Sequence, residues 1–110
     1  SHCHCTMCRK AHGAAFGTYA QVRKPDLRLV QGEALIAAYE SSPGIRRTFC
    51  ARCGSTLQWI NTARPDTEDI ALGILDDDPE VRPACHIFVG SKAPWYAIGE
   101  KLPEYPESRP

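Results

Sequence analysis

The sequence lacks the long apolar runs that membrane-spanning proteins carry. Crossing a bilayer as a helix takes roughly 20 consecutive apolar residues, and no stretch of the 110 residues approaches that length. A charged segment followed by a short apolar one, which is typical of a secretory leader, is missing as well. We therefore predict a soluble, cytoplasmic protein with no membrane partner.

An excess of charge of either sign is also absent. The chain has 13 Lys and Arg residues against 13 Asp and Glu residues, so its formal net charge is zero. Proteins that bind a phosphate backbone usually carry clustered positive charge. The composition therefore argues against a nucleic-acid partner, and it leaves the oligomeric state open.

Long helices have little room, because the chain contains 9 prolines. Each proline removes a backbone donor and disfavours helix in the residue before it. Short apolar segments predict strands instead, at 16–22, 27–29, 35–39, 45–49, 57–59, 70–74 and 86–89. The segment SSPG at 41–44 predicts a tight turn, and residues 6–13 show no clear period. We expect one all-β domain over residues 1–110, mainly antiparallel and with little helix.

The cysteines are concentrated in two short stretches. They are Cys3, Cys5, Cys8, Cys50, Cys53 and Cys85. In a secreted chain of this size, six cysteines would suggest three disulfides. Spacings of one or two residues favour metal ligands instead, because thiolate is a preferred ligand of zinc. Cys85 matches no such spacing, and we expect it to be a small buried apolar residue.

Spacing alone leaves two arrangements of the metal open. In the first, Cys5 and Cys8 join Cys50 and Cys53 in one four-cysteine structural site, with Cys3 left over. In the second, Cys3, Cys5 and Cys8 hold a zinc ion with an open fourth position, and Cys50 and Cys53 supply half of another site. A fully ligated zinc only stabilises a fold, whereas an open position permits catalysis.

Two histidines accompany these cysteines. His4 lies between two candidate ligands, so we expect its ring to point away from the metal, either to solvent or to the surroundings of the site. The alternative is a proton carrier near a substrate. His86 begins an apolar strand. A hydrogen-bonded core histidine explains it as well as a site residue does.

Several short segments together resemble a known family. They are CHCTMCRK (3–10), GAAF (13–16), FCARCG (49–54), HIFV (86–89) and PW (94–95). The combination is similar to the glutathione-dependent formaldehyde-activating enzyme (GFA) family, whose domain also occurs in centromere protein V. The resemblance runs from Cys3 to about residue 106.

The resemblance implies a fold of the β-tent type with two zinc ions. Cys3, Cys5 and Cys8 match the family's catalytic zinc ligands, and Cys50 and Cys53 match two ligands of its structural zinc. In the family a Cys-x-Cys pair nearer the N-terminus completes the structural site. This sequence contains no such pair, so we expect the domain to lack its N-terminal Cys-x-Cys strand.

The activity implied is that of a carbon–sulfur lyase resembling S-(hydroxymethyl)glutathione synthase. A thiol, glutathione or a similar one, would occupy the open position at Cys3, Cys5 and Cys8, lose its proton and add to formaldehyde or a related aldehyde. The product would be an S-hydroxymethyl adduct. The alternative, from another functional class, is a non-catalytic zinc-stabilised β module that binds a protein partner.

Overall fold

The structure is a computed structural model that describes residues Ser1–Pro110. It contains seven strands and one α-helix. In chain order they are β1 (His2–Cys3), α1 (Thr6–His12), β2 (Gly17–Arg23), β3 (Ile36–Ser42), β4 (Ile45–Cys50), β5 (Thr56–Asn61), β6 (Thr67–Ala71) and β7 (His86–Ile87). The prediction of a mostly β fold with little helix is confirmed. None of the helices combines the length and the apolar character that a membrane span requires.

The chain divides into two compact units. One comprises Ser1–Tyr19 and Asp77–Pro110, and the other comprises Ala20–Asp76. Strand β2 contributes residues to both. The strand order is β2-β1-β7 in the first unit and β3-β4-β5-β6-β2 in the second.

The second unit is built from antiparallel hairpins. β3 and β4 pair from Ile36 opposite Cys50 to Ser42 opposite Ile45. The turn between them ends at Gly44, whose φ of 76° suits a residue without a side chain. β4 then pairs with β5, and β5 with β6. The predicted hairpin is present, but its turn is limited to Pro43 and Gly44, because β3 continues to Ser42.

The interior of the second unit includes a row of polar side chains. The hydroxyl of Thr48 donates to Oε1 of Gln58 over 2.8 Å, and Nε2 of Gln58 donates to Oε1 of Glu68 over 3.0 Å. All three residues are buried. Each donor has an acceptor, which removes most of the cost of burying polar groups across strands β4 to β6.

In the first unit, β1 lies between two other strands. It pairs antiparallel with β2, with His2 opposite Thr18 and Cys3 opposite Gly17. On its other edge it pairs parallel with β7, with His2 opposite His86. This parallel pair contrasts with the antiparallel pairing of the second unit. It places residues from distant parts of the sequence side by side.

Helix α1 is defined by its caps rather than by an apolar face. Cys5 is the N-cap, and the C-cap Gly13 has a left-handed conformation with φ 57°. Cys8 is the only buried residue of the helix. The sequence prediction missed this helix because one inward-facing residue gives no visible period.

Two strand predictions are wrong in detail. Residues 27–30 lie outside the sheet, and Leu29 and Val30 are 46% and 83% exposed. The alternation at 70–74 ends early as well: β6 stops at Ala71, and Leu72–Ile74 forms a 3₁₀ turn. Apolar alternation alone does not make a strand where no neighbour accepts its backbone hydrogen bonds.

Candidate metal centre

Two elements of the first unit, β1 and α1, bring Cys3, Cys5 and Cys8 together. Cys3 ends β1, Cys5 caps helix α1, and Cys8 lies in the first turn of that helix. Their Sγ atoms all lie within 4.8 Å of one another. The three sulfurs, which we call the sulfur group, can hold a metal ion.

The electrostatics of the sulfur group suit a bound cation. Cys3 and Cys8 are 7% and 4% exposed, whereas Cys5 is more accessible. Hydrogen bonds with the thiols of Cys5 and Cys8, followed by burial, raise the pKa of Cys3 well above its usual range. Three neighbouring thiolates therefore need a positive charge among them. A divalent ion that prefers thiolate ligands would supply that charge.

Cys50 and Cys53 lie on a tight turn of the second unit. The amide of Gly54 donates to the carbonyl of Cys50 over 2.7 Å, and Gly54 has a φ of 81°. Sγ of Cys53 lies 3.1 Å from Oγ of Ser55, and this contact is the main reason that the pKa of Cys53 is lowered. No third Cys, His, Asp or Glu of this unit completes a group of three ligands with the pair. A structural zinc at Cys50 and Cys53 stays a prediction.

Two histidines and a glutamate of the first unit are linked by hydrogen bonds. His4 and His86 are both fully buried, and Nε2 of His4 lies 2.7 Å from Nδ1 of His86. On the far side of the His86 ring, Nε2 lies 2.8 Å from Oε1 of Glu100. Of the alternatives for the His4 ring, exposure to solvent is excluded, because the ring is fully buried. His86 is a buried histidine with hydrogen bonds at both nitrogens.

The environment of His4 disfavours its charged form. Burial, followed by the positive charges of His86, His2, Lys92 and Arg9, lowers the pKa of His4 to about 4. Its Nδ1 atom is buried without a hydrogen-bond partner. His4 is therefore neutral at physiological pH.

A comparison with protein-family models identifies the chain. The model described as glutathione-dependent formaldehyde-activating enzyme matches residues 1–91. The chain belongs to this family. The resemblance seen in the sequence motifs is thus confirmed, and both cysteine stretches fall within the matched GFA region.

Two similar proteins support the GFA assignment. A Halomonas elongata protein named "Putative glutathione-dependent formaldehyde-activating enzyme" is 27% identical over 103 residues, which cover 87% of this chain and 65% of that protein. The chain thus spans just under two thirds of the length of this relative. A crystal structure of a Rhodobacter sphaeroides protein matches with a TM-score of 0.57 and 26% identity, covering 71% of this chain and 70% of that one.

Sequence reasoning did not anticipate the contacts that two residues of the first unit, His2 and Glu100, make with each other. His2 is within hydrogen-bond distance of Thr18, with 2.7 Å between Nδ1 and Oγ1, and its Nε2 lies 3.3 Å from Oε1 of Glu100. Glu100 lies beyond the residues matched by the GFA model. No motif joins Glu100 to the histidines, so only the three-dimensional structure reveals this contact.

Proposed function

We propose that this protein is a zinc-dependent carbon–sulfur lyase of the S-(hydroxymethyl)glutathione synthase type. Its substrates would be a thiol, glutathione or a similar one, and formaldehyde or a related aldehyde. The observation that carries the proposal is the approach of three cysteine sulfurs to within 4.8 Å of one another. Membership of the GFA family and the name of the Halomonas relative support the choice of substrates.

Cys3, Cys5 and Cys8 would hold the zinc ion. When bound, zinc would act as a Lewis acid that lowers the pKa of a substrate thiol. Cys3 and Cys8 are buried and exclude water from one side of the site, whereas the more exposed Cys5 leaves the other side accessible. The substrate thiol would approach from the side of Cys5.

The reaction balances without an oxidant or a reductant. The thiol loses its proton, and its sulfur attacks the carbonyl carbon of the aldehyde. A carbon–sulfur bond forms as the carbonyl π bond breaks, and the carbonyl oxygen takes up a proton. The three thiolates of the sulfur group carry more negative charge than one divalent ion neutralises, so they favour sulfur as a nucleophile over activation of water.

The proposed substrates also suggest where the protein works. Glutathione keeps thiols reduced in the cytoplasm, and a site of three reduced thiols needs such an environment. None of the six cysteines forms a disulfide. We therefore propose a cytoplasmic location.

Adduct formation by the zinc-loaded protein tests the proposal. The exchange of glutathione and formaldehyde with S-hydroxymethylglutathione can be followed by NMR, and we expect a rate well above the spontaneous one. The variant Cys8→Ser should lose both zinc and the rate enhancement. Cys85→Ala is the matched control, because Cys85 is a buried cysteine of the same unit outside the sulfur group.

Zinc binding without any rate enhancement would contradict the proposal. That result would favour the non-catalytic reading, in which the zinc stabilises a β module that binds a protein partner. Replacing glutathione with other low-molecular-weight thiols in the same assay would then separate an inactive protein from one with a different thiol substrate.

A further inference from the structure

His2 and His86 are neighbours because of the parallel pairing of β1 and β7. The two residues lie opposite each other in register, so their side chains leave the same face of adjacent strands. Their ring centroids are 4.8 Å apart. The backbone of β7 is held on its other edge as well, since the amide of Tyr105 donates to the carbonyl of His86 over 2.9 Å. The two rings are thus placed by a sheet rather than by flexible loops.

Glu100 completes a group of three ligand atoms with these rings. Its Oε1 lies 2.8 Å from Nε2 of His86 and 3.3 Å from Nε2 of His2, and all three atoms lie within 4.8 Å of one another. Ligand atoms about 2.0–2.2 Å from a shared zinc-like ion lie about 3.0–3.5 Å apart in tetrahedral or octahedral geometry. Two of the three separations are already close to that range.

In both rings the Nδ1 atom, which faces away from Glu100, lies within hydrogen-bond distance of a neighbouring group. Metal-binding histidines usually have such a partner on the nitrogen that does not bind the metal. Nδ1 of His2 lies 2.7 Å from Oγ1 of Thr18, and Nδ1 of His86 lies 2.7 Å from Nε2 of His4. Both partners can accept a hydrogen bond, so each ring can carry its proton on Nδ1. In the 2.8 Å contact with Glu100, Nε2 of His86 is the donor, because a carboxylate oxygen only accepts. A bound ion would take the place of that proton, and the ring would then carry its proton on Nδ1. Holding Nδ1 in a hydrogen bond sets the tautomer and orientation of a metal-ligating histidine.

The group is enclosed on the histidine side and open on the carboxylate side. The side chain of His86 is fully buried and that of His2 is 12% exposed, whereas the side chain of Glu100 is 48% exposed. The ring of Phe16 packs against His2 with centroids 4.4 Å apart. An ion can therefore enter past Glu100 and meet two rings that are already in place.

We propose that His2, His86 and Glu100 form a second metal site, which binds a divalent first-row ion. Two imidazoles and a carboxylate form a donor set used for Zn²⁺, Fe²⁺ and Mn²⁺, and it leaves coordination positions open for water or a ligand. The site differs in chemistry from the sulfur group, because its nitrogen and oxygen donors accept harder ions. The proposed second metal site does not depend on whether the protein has the proposed lyase activity.

The experiment uses this chemical difference. The full chain is first loaded with one equivalent of zinc per chain, which the three thiolates of the sulfur group bind in preference to nitrogen and oxygen donors. Protection of these thiols from alkylation verifies where the zinc is bound. Mn²⁺ is then added, because it binds more weakly than zinc and will not displace zinc from thiolates. Loss of the free-ion EPR signal measures Mn²⁺ binding. We expect one Mn²⁺ per chain.

Glu100→Gln is the variant that tests the site. It removes a charged ligand from a half-exposed position, so the chain is expected to fold, and an unchanged zinc content verifies that the sulfur group is intact. The dissociation constant for Mn²⁺ should rise at least about tenfold, since even the loss of supporting groups around a metal costs 10–100-fold in affinity. Glu104→Gln is the matched control, because Glu104 is an exposed carboxylate on the segment that flanks β7.

Two results would overturn the proposal. One is a zinc-loaded wild-type protein that binds Mn²⁺ no better than Glu100→Gln does. The other is an equal loss of affinity in Glu104→Gln, which would show diffuse binding to surface carboxylates. Neither result depends on catalytic activity, so failure of this proposal and failure of the proposed lyase function are distinguishable.

Discussion

The backbone amide of Cys8 donates a hydrogen bond to Sγ of Cys5 over 3.3 Å. The same sulfur belongs to the sulfur group. Cys5 therefore has two roles, as the N-cap of helix α1 and as a candidate metal ligand. Because serine is a good N-cap but hydroxyl is not among the ligands that zinc prefers, substitution can separate the two roles.

Cys5→Ser and Cys5→Ala should differ in stability but not in metal content. Both variants should lose the metal of the sulfur group. Without metal, Cys5→Ala should be less stable than Cys5→Ser by about 1 kcal/mol, because only serine can accept the hydrogen bond from the amide of Cys8. Urea unfolding of the metal-free proteins and zinc analysis measure the two effects. Equal unfolding free energies would show that the cap contributes nothing.

Gly17→Ala should destabilise the first unit. A Cβ atom at Gly17 would lie 2.6 Å from the ring of His12 and 2.9 Å from the ring of Tyr19. Those rings are joined by a hydrogen bond of 2.8 Å, so moving one disturbs the other. We expect a loss of about 1–3 kcal/mol in the free energy of unfolding. Gly99→Ala is the control, because a Cβ there meets nothing within 4 Å. Similar losses in both variants would contradict the steric explanation.

Asp69→Asn should stabilise the second unit at neutral pH. Burial raises the pKa of Asp69 above its usual 3.8, because the charged form is poorly solvated. Stability is therefore lost as the pH rises from 3.8 through the folded-state pKa, and the cost is fully present at pH 7. Asparagine carries no such cost. Denaturation curves should show the gain at pH 7 and its disappearance below about pH 3.8.

The control for this effect is Asp66→Asn, at an exposed carboxyl of the same unit. An equal gain in stability from Asp66→Asn would show that the effect does not depend on burial of the carboxyl. A gain from Asp69→Asn that persists unchanged at low pH would mean that packing, not charge, is responsible.

Cys53 should be the first cysteine to react with an alkylating reagent in the metal-free protein. It is exposed, and the hydroxyl of Ser55 lowers its pKa, so more of it is thiolate at neutral pH. Ser55→Ala should slow the labelling of Cys53, whereas the buried Cys85 should stay unlabelled in both proteins. Peptide mass spectrometry after timed alkylation measures the rates.

Repeating the alkylation with added zinc tests which cysteines bind the metal first. One equivalent per chain should protect the sulfur group and leave the labelling rate of Cys53 unchanged, because three thiolates outcompete two. Protection of Cys53 at one equivalent would contradict this order and would favour zinc at Cys50 and Cys53.

Local chemistry explains which parts of the structure the sequence could predict. The proline and glycine at 43 and 44 predicted the hairpin of β3 and β4, since both residues favour turn geometry directly. Cys3, Cys5 and Cys8 were recognisable because metal ligands with short spacings are visible within one segment. Helix α1 was not recognisable, because a cysteine and a glycine at its two ends, Cys5 and Gly13, are equally typical of a turn.

Contacts set by strand pairing were invisible in the sequence. His2 and His86 are neighbours because β1 and β7 pair in parallel, and a register between distant segments leaves no local signal. The strand predicted at Leu27 and Leu29 failed for a related reason. Alternation shows that a segment could line a sheet, but not that a partner strand is available.

The sequence positions of the two ligand groups have a consequence for the order in which the protein matures. Cys3, Cys5 and Cys8 lie within one short segment, so bringing them together closes only small loops and costs little chain entropy. The sulfur group is therefore expected to capture its ion while most of the chain is still unfolded, and the bound ion would favour α1. His2, His86 and Glu100 assemble only after β7 has paired with β1, so that ion would arrive last.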